Sequence, residues 1–118
     1  MPALSIEVGG QSFTATLQDT PTTRALLERL PITVTMGELN GNEKYYYLDE
    51  SLPTDSRRPG QIHAGDLMLY GSDCLVLFYE SFSSSYSYTT LGRIDDPSGL
   101  AAALGRGSAE VTFQIQNP

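Results

Sequence analysis

Tryptophan is absent from these 118 residues, cysteine and histidine occur once each, and 7 basic side chains face 14 acidic ones. A single cysteine excludes an internal disulfide, so a hydrophobic core must hold the fold. A formal charge of −7 and a pI near 4.4 exclude the cationic face that nucleic acid or an anionic membrane requires. The acids are spread along the chain, as on a solvated surface. No run approaches the roughly 20 apolar residues that span a bilayer. The start, MPALSIEVGG, lacks a basic stretch followed by an apolar one, so no signal peptide is read and a cytoplasmic location is expected.

The shortage of histidine and cysteine also limits chemistry. His63 and Cys74 do not match zinc-ligand spacing, and the turn NGNE lacks the carboxylate ladder of a calcium loop, so no metal is expected. Neither AGDLMLYG nor LGRGS has the spacing of a phosphate-binding loop, and no cofactor is expected. Nucleophilic catalysis would depend on His63 as base. The serines at 81, 83, 84, 85 and 87 stand in no nucleophile elbow, and no triad is read. Cys74 reads as a small core residue, His63 as a surface or turn residue, and Asp66 as a turn residue bonding backbone N–H groups at a strand start.

What is present is alternation. The chain is long enough for one domain, 1–118, with one core. Leu4, Ile6 and Val8, then Phe13, Ala15 and Leu17, alternate with polar residues around Gly9-Gly10, which predicts a tight hairpin. Asp19-Thr20-Pro21 opens a helix with the stripe Ala25, Leu26, Leu27, Leu30, and Pro31 ends it. Ile32, Val34 and Met36 mark a third strand. Glu43 to Leu48 is a fourth, with Tyr45 and Tyr47 on one face and Lys44, Tyr46 and Leu48 on the other. Residues 49–64 read as a long loop, uncommon in a small domain and often functional. Strands follow at 67–70 and 74–79, then a Ser-rich loop 81–87 and an extended segment 88–94. Asp96-Pro97 repeats the helix-start device before Leu100, Ala101 and Leu104, and Val111, Phe113 and Ile115 form the last strand. About eight short strands and two short helices predict a mainly β fold, a closed antiparallel barrel with the helices capping its ends. Side chains fill such a barrel, so a ligand would bind outside, in a groove under the loops.

In this order, RALLERLPITVTM (24–36), NGNEKYYYL (40–48), GDLMLYG (65–71), CLVLFYE (74–80) and LGRI (91–94) resemble the bacterial cyclophilin-like family of small proteins. The resemblance spans nearly the whole chain and implies a cyclophilin-type barrel. It does not bring cyclophilin activity. True cyclophilins carry their catalytic Arg in a Phe-His-Arg segment, and here the single His is followed by Ala. No catalytic residue carries over.

The aromatic residues are the stronger signal for function. Tyr46, Tyr70, Phe78, Tyr79, Phe82, Tyr86 and Tyr88 fall in four neighbouring segments, and about half must serve the core. Cys74, Val76 and Phe78 alternate with Leu75, Leu77 and Tyr79, so this strand is covered on both sides, the outer one by a helix or by loops. The expected ligand-binding set is Tyr46, Tyr70, Phe78, Phe82, Tyr86, Tyr88 and Arg93, with Arg93 otherwise engaged in a salt bridge to Glu43 or Glu80. The leading expectation is a module that binds a peptide or small apolar ligand in an aromatic surface groove. The alternative is a peptidyl-prolyl isomerase using Arg93 with Phe78 and Phe82, since that reaction needs orientation and electrostatics rather than a nucleophile. A third reading is a domain that binds a protein partner through residues 49–64. A monomer or weak dimer is expected.

Overall fold

The computed structural model describes residues 1–116. Strands β1 (Leu4–Val8) and β2 (Gln11–Leu17) form the expected hairpin. Its Gly9 has φ +58°, and a Cβ there would lie 2.5 Å from the Ala103 carbonyl oxygen, so a glycine is required both by conformation and by space. Helix α1 (Pro21–Leu27) starts at Thr20, whose side chain forms a capping box with Thr23. Then come β3 (Ile32–Leu39), β4 (Glu43–Tyr47), β5 (Gln61–Ile62), β6 (Asp66–Tyr70), β7 (Cys74–Phe78), β8 (Phe82–Ser83), β9 (Thr89–Ile94), α2 (Leu100–Leu104) and β10 (Ala109–Ile115).

Eight of these strands close an antiparallel barrel in the order β1-β10-β3-β4-β7-β6-β9-β2. Its interior is packed with Leu4, Ile6, Leu67, Leu69, Leu75, Leu77, Val111 and Phe113, all fully buried. Leu26 of α1 and Leu100 and Leu104 of α2 belong to the same core. The helices seal the barrel as their apolar stripes predict. Helix α2 starts later than the Asp96-Pro97 signal suggests. Asp96 accepts a hydrogen bond from the Ser98 N–H, and the cap is Gly99, so the aspartate shapes the turn before the helix rather than the helix itself.

The two presumed loops contain the pair β5-β8, with Gln61 opposite Ser83 and Ile62 opposite Phe82. Arg57 and Tyr88 add a bridge between the same segments. This small ribbon lies over the outer face of the barrel. Ile62, Met68, Cys74, Val76, Phe78 and Tyr88 form a second core there, outside the barrel wall.

One polar group crosses into the interior. Lys44 is fully buried, and its ammonium donates to Glu38 Oε1 (2.8 Å), the Gly105 carbonyl (2.8 Å) and the Gly107 carbonyl (2.6 Å). All three of its protons are thereby used. Tyr79 Oη donates to the same Glu38 oxygen at 2.6 Å. Burial pushes the Glu38 carboxyl up, but hydrogen bonds from Lys44, Tyr79 and the Gly41 N–H outweigh it and hold the group below its ordinary value. Burial and the bond to Glu38 push the Tyr79 phenol up to about 12. The network ties β3 and β4 to the loop after α2. Replacing Lys44 with Met keeps the stem but leaves the Gly105 and Gly107 carbonyls without their Lys44 donor and Glu38 without its counter-charge. We expect Lys44→Met to lose about 3 kcal/mol or more of stability in urea unfolding. A loss below about 1 kcal/mol would show that water reaches these groups.

Candidate functional site

The outer face of β7 makes a trough by side-chain size. Cys74 stands between Tyr47 of β4 and Tyr70 of β6 in one cross-strand row. Val76 stands between Tyr45 and Met68 in the next. Small residues in the centre strand and large ones on its neighbours leave a channel along β7. The β5-β8 ribbon and the 84–88 segment add Phe82, Tyr86 and Tyr88 to its rim, and Leu39, Asn40 and Asn42 close one end. The resulting groove has a volume of about 430 Å³.

The rings are braced rather than loose. Tyr70 packs edge-on against Tyr86 with centroids 6.2 Å apart and lies 5.7 Å from Tyr88. Phe78, fully buried beneath, contacts both Tyr88 (5.5 Å) and Phe82 (5.8 Å). Tyr45 and Tyr47 form an edge-to-face pair at 6.0 Å, and the Tyr45 ring lies over Gly37, where a Cβ would come within 2.8 Å of it. Yet Tyr47 is 62% and Tyr86 63% exposed, a large solvated apolar area for one face of a small domain.

Glu43 sits at the same end of the groove, on the face of β4 that carries Tyr45 and Tyr47 and opposite Phe78. It is 8% exposed, and no described residue hydrogen-bonds or salt-bridges its carboxylate. Burial, with the Glu38 charge second, pushes its carboxyl from 4.5 up to about 7. Burial likewise raises the Cys74 thiol, which argues against a reactive thiolate.

Of the residues expected from sequence, Tyr70, Phe82, Tyr86 and Tyr88 meet in this groove, and Phe78 supports them from below. Tyr46 does not join them. Its strand face turns inward, and it packs half-buried against the barrel core. Tyr45, Tyr47 and Glu43, which the sequence reading left out, occupy the wall instead. The alternation along β4 carried that signal, because Leu48 marks the even-numbered face as the interior one.

Arg93 lines a different groove, of about 500 Å³, with Gln61, His63, Asp66 and Thr90 among its walls. Its partner is neither Glu43 nor Glu80. Arg93 Nε donates to Asp66 Oδ1 at 2.6 Å, because β9 pairs with β6 and sets the two residues opposite each other. Arg93 Nη2 lies 2.9 Å from His63 Nδ1, which accepts, since arginine only donates. Asp66 also accepts from the His63 N–H at 2.8 Å, the turn role expected of it. The arginine is thus held by the fold, in a groove apart from that of Phe82, and the trio Arg93, Phe78 and Phe82 is not assembled. Among the described residues, no three His, Cys, Asp or Glu side chains converge on a metal site, and no helix is long and apolar enough to cross a membrane.

The sequence profile of the Cyclophilin-like family matches residues 6–116. The chain belongs to the cyclophilin-like family. Its barrel is similar to the solution structure of the hypothetical protein AF2241 from Archaeoglobus fulgidus, with a TM-score of 0.61, 15% identity, and coverage of 98% of this chain and 95% of that one. At that identity the likeness concerns the fold. No curated protein matches the sequence. A shared fold assigns this cyclophilin-like domain no site.

The buried carboxyl has a measurable consequence. Glu43 binds its proton more tightly in the folded protein, so the penalty is absent below about pH 4.5, grows as the unfolded chain ionises, and is complete above about 7. The stability of Glu43→Gln relative to the natural protein is expected to rise across that interval and level off beyond it in urea titrations at stepped pH. A difference that stays constant with pH would show that Glu43 ionises normally in the fold.

Proposed function

We propose that this cyclophilin-like domain is a binding module that holds a peptide or small ligand in the aromatic groove along β7. The observation that carries the reading is the convergence of five tyrosines and Phe82 on one trough, with Tyr47, Tyr70 and Tyr86 left open to solvent. Exposed aromatic rings contribute large contact area at low entropic cost when a partner covers them. Braced rings lose little further freedom on binding, which favours a preformed site. Nothing in the groove resembles a nucleophile paired with a base, so binding rather than bond cleavage suits the residues present.

The test is two-dimensional NMR on labelled protein, titrated with short peptides, X-Pro sequences included, and with small apolar molecules. Shifts are expected at Tyr45, Tyr47, Tyr70 and Tyr86. Tyr47→Ala and Tyr86→Ala should each weaken binding by about 1 kcal/mol or more, roughly fivefold, while leaving stability nearly unchanged because both rings are exposed. Cis–trans exchange of the X-Pro bond is read in the same samples. Shifts without faster exchange support the binding module. Faster exchange that Arg93→Ala abolishes would support the isomerase instead. Silence of the groove across the whole set would retract the site.

A further inference from the structure

The groove holds one feature that an apolar ligand leaves unexplained. Glu43 is more than nine-tenths buried, yet no donor or cation of the described chain meets its carboxylate. The cations that pair with acids are committed elsewhere: Arg24 to Asp19, Arg29 to Glu50, Lys44 to Glu38, Arg57 to Asp55 and Arg93 to Asp66. Its neighbour Lys44 turns to the opposite face of β4 and spends all its protons there. The Glu43 oxygens still touch solvent, and Glu43 lines the groove, so an apolar occupant would cover them and give them no partner, which is costly. An anion would meet Glu43, the negative faces of the tyrosine rings and a chain of net charge −7. The charge and the rings favour the same occupant. An ammonium group carrying alkyl substituents is attracted to aromatic faces, is weakly hydrated, and supplies the counter-charge that the carboxylate lacks.

Resting on the reading of the groove as a ligand site, we infer that it recognises an alkylammonium cation, with Glu43 as the counter-charge and the tyrosine rings that line the groove as its aromatic walls. Such a group occurs on free small amines and on methylated lysine side chains. The chemistry is shared, and the source is decided by experiment.

The decisive comparison is choline against dimethylbutanol, its neutral isostere with carbon in place of nitrogen. The two match in shape and differ in charge. Binding is followed by NMR shifts and by tyrosine fluorescence, which no tryptophan obscures, at a pH above the Glu43 titration near 7. Choline is expected to bind about tenfold or more tightly than dimethylbutanol, and Glu43→Gln to remove most of that difference while sparing the alcohol. A blocked tripeptide with a central trimethyllysine runs in parallel. If it binds more tightly than choline, the cation comes on a protein segment; if not, on a free amine. Equal affinity for choline and dimethylbutanol would overturn the cation and leave the groove standing. A preference for choline that survives Glu43→Gln would remove Glu43 from recognition and overturn the proposal as stated. If neither these probes nor the peptides and apolar molecules above move any groove signal, the site falls with it.

Discussion

Strand β7 is buried on both faces, and the rest of the molecule is arranged around that fact. Leu75 and Leu77 fill the barrel, while Cys74, Val76 and Phe78 require a second cover outside it. A barrel wall usually leaves its outer face to water and polar side chains. Here the chain brings two irregular segments back over the wall, pairs them for two residues each as β5 and β8, and pins them with Ile62, Phe82 and Tyr88. That cover is too short to reach across the whole strand. Beyond it, Cys74 and Val76 stay low between taller neighbours, whose rings bury them and wall the groove.

The same construction separates rigid parts from adaptable ones. The closed barrel removes every free sheet edge among its eight strands, and the Lys44 network locks the α2 end with charge-assisted bonds. Arg93, Asp66 and His63 lock the junction of β6 and β9 in a similar way. An arginine whose Nε is fixed on a buried aspartate acts first as a structural tie. Tyr47 and Tyr86, by contrast, stand on the braced frame with most of their surface in water, the arrangement expected where a solid scaffold presents contact residues.

The barrel was legible in the sequence because period-two alternation is strong wherever one strand face is buried, as in Leu4–Ile6–Val8 and Val111–Phe113. The start of α1 was legible because Thr20-Pro21 is a local chemical signal. Strands β5 and β8 were not, since two residues carry no period, and their pairing joins positions far apart in sequence. The partner of Arg93 was hidden for the same reason: the β6-β9 register, not proximity along the chain, sets it against Asp66. The doubly covered β7 announced that an aromatic surface existed. Which tyrosines lined it depended on the inward face of β4, where Lys44 beside Tyr46 and Leu48 blurs the apolar pattern. A lysine inside a barrel is legible only once the three acceptors around it are known.

Glu43 and Lys44 show how one step along a strand gives two buried charges opposite surroundings. Both lie buried at the start of β4, and both would be costly if unpaired. Lys44 points inward and is satisfied completely by the fold. Glu43 points outward, borders the trough and has no partner in the fold. Swapping their faces by a one-residue slip would leave the lysine among tyrosines and the carboxylate facing the Gly105 and Gly107 carbonyls, so the register is fixed by charge as well as by hydrophobic pattern. The fold satisfies one buried charge with three hydrogen bonds and leaves its neighbour's oxygens to the solvent of the groove.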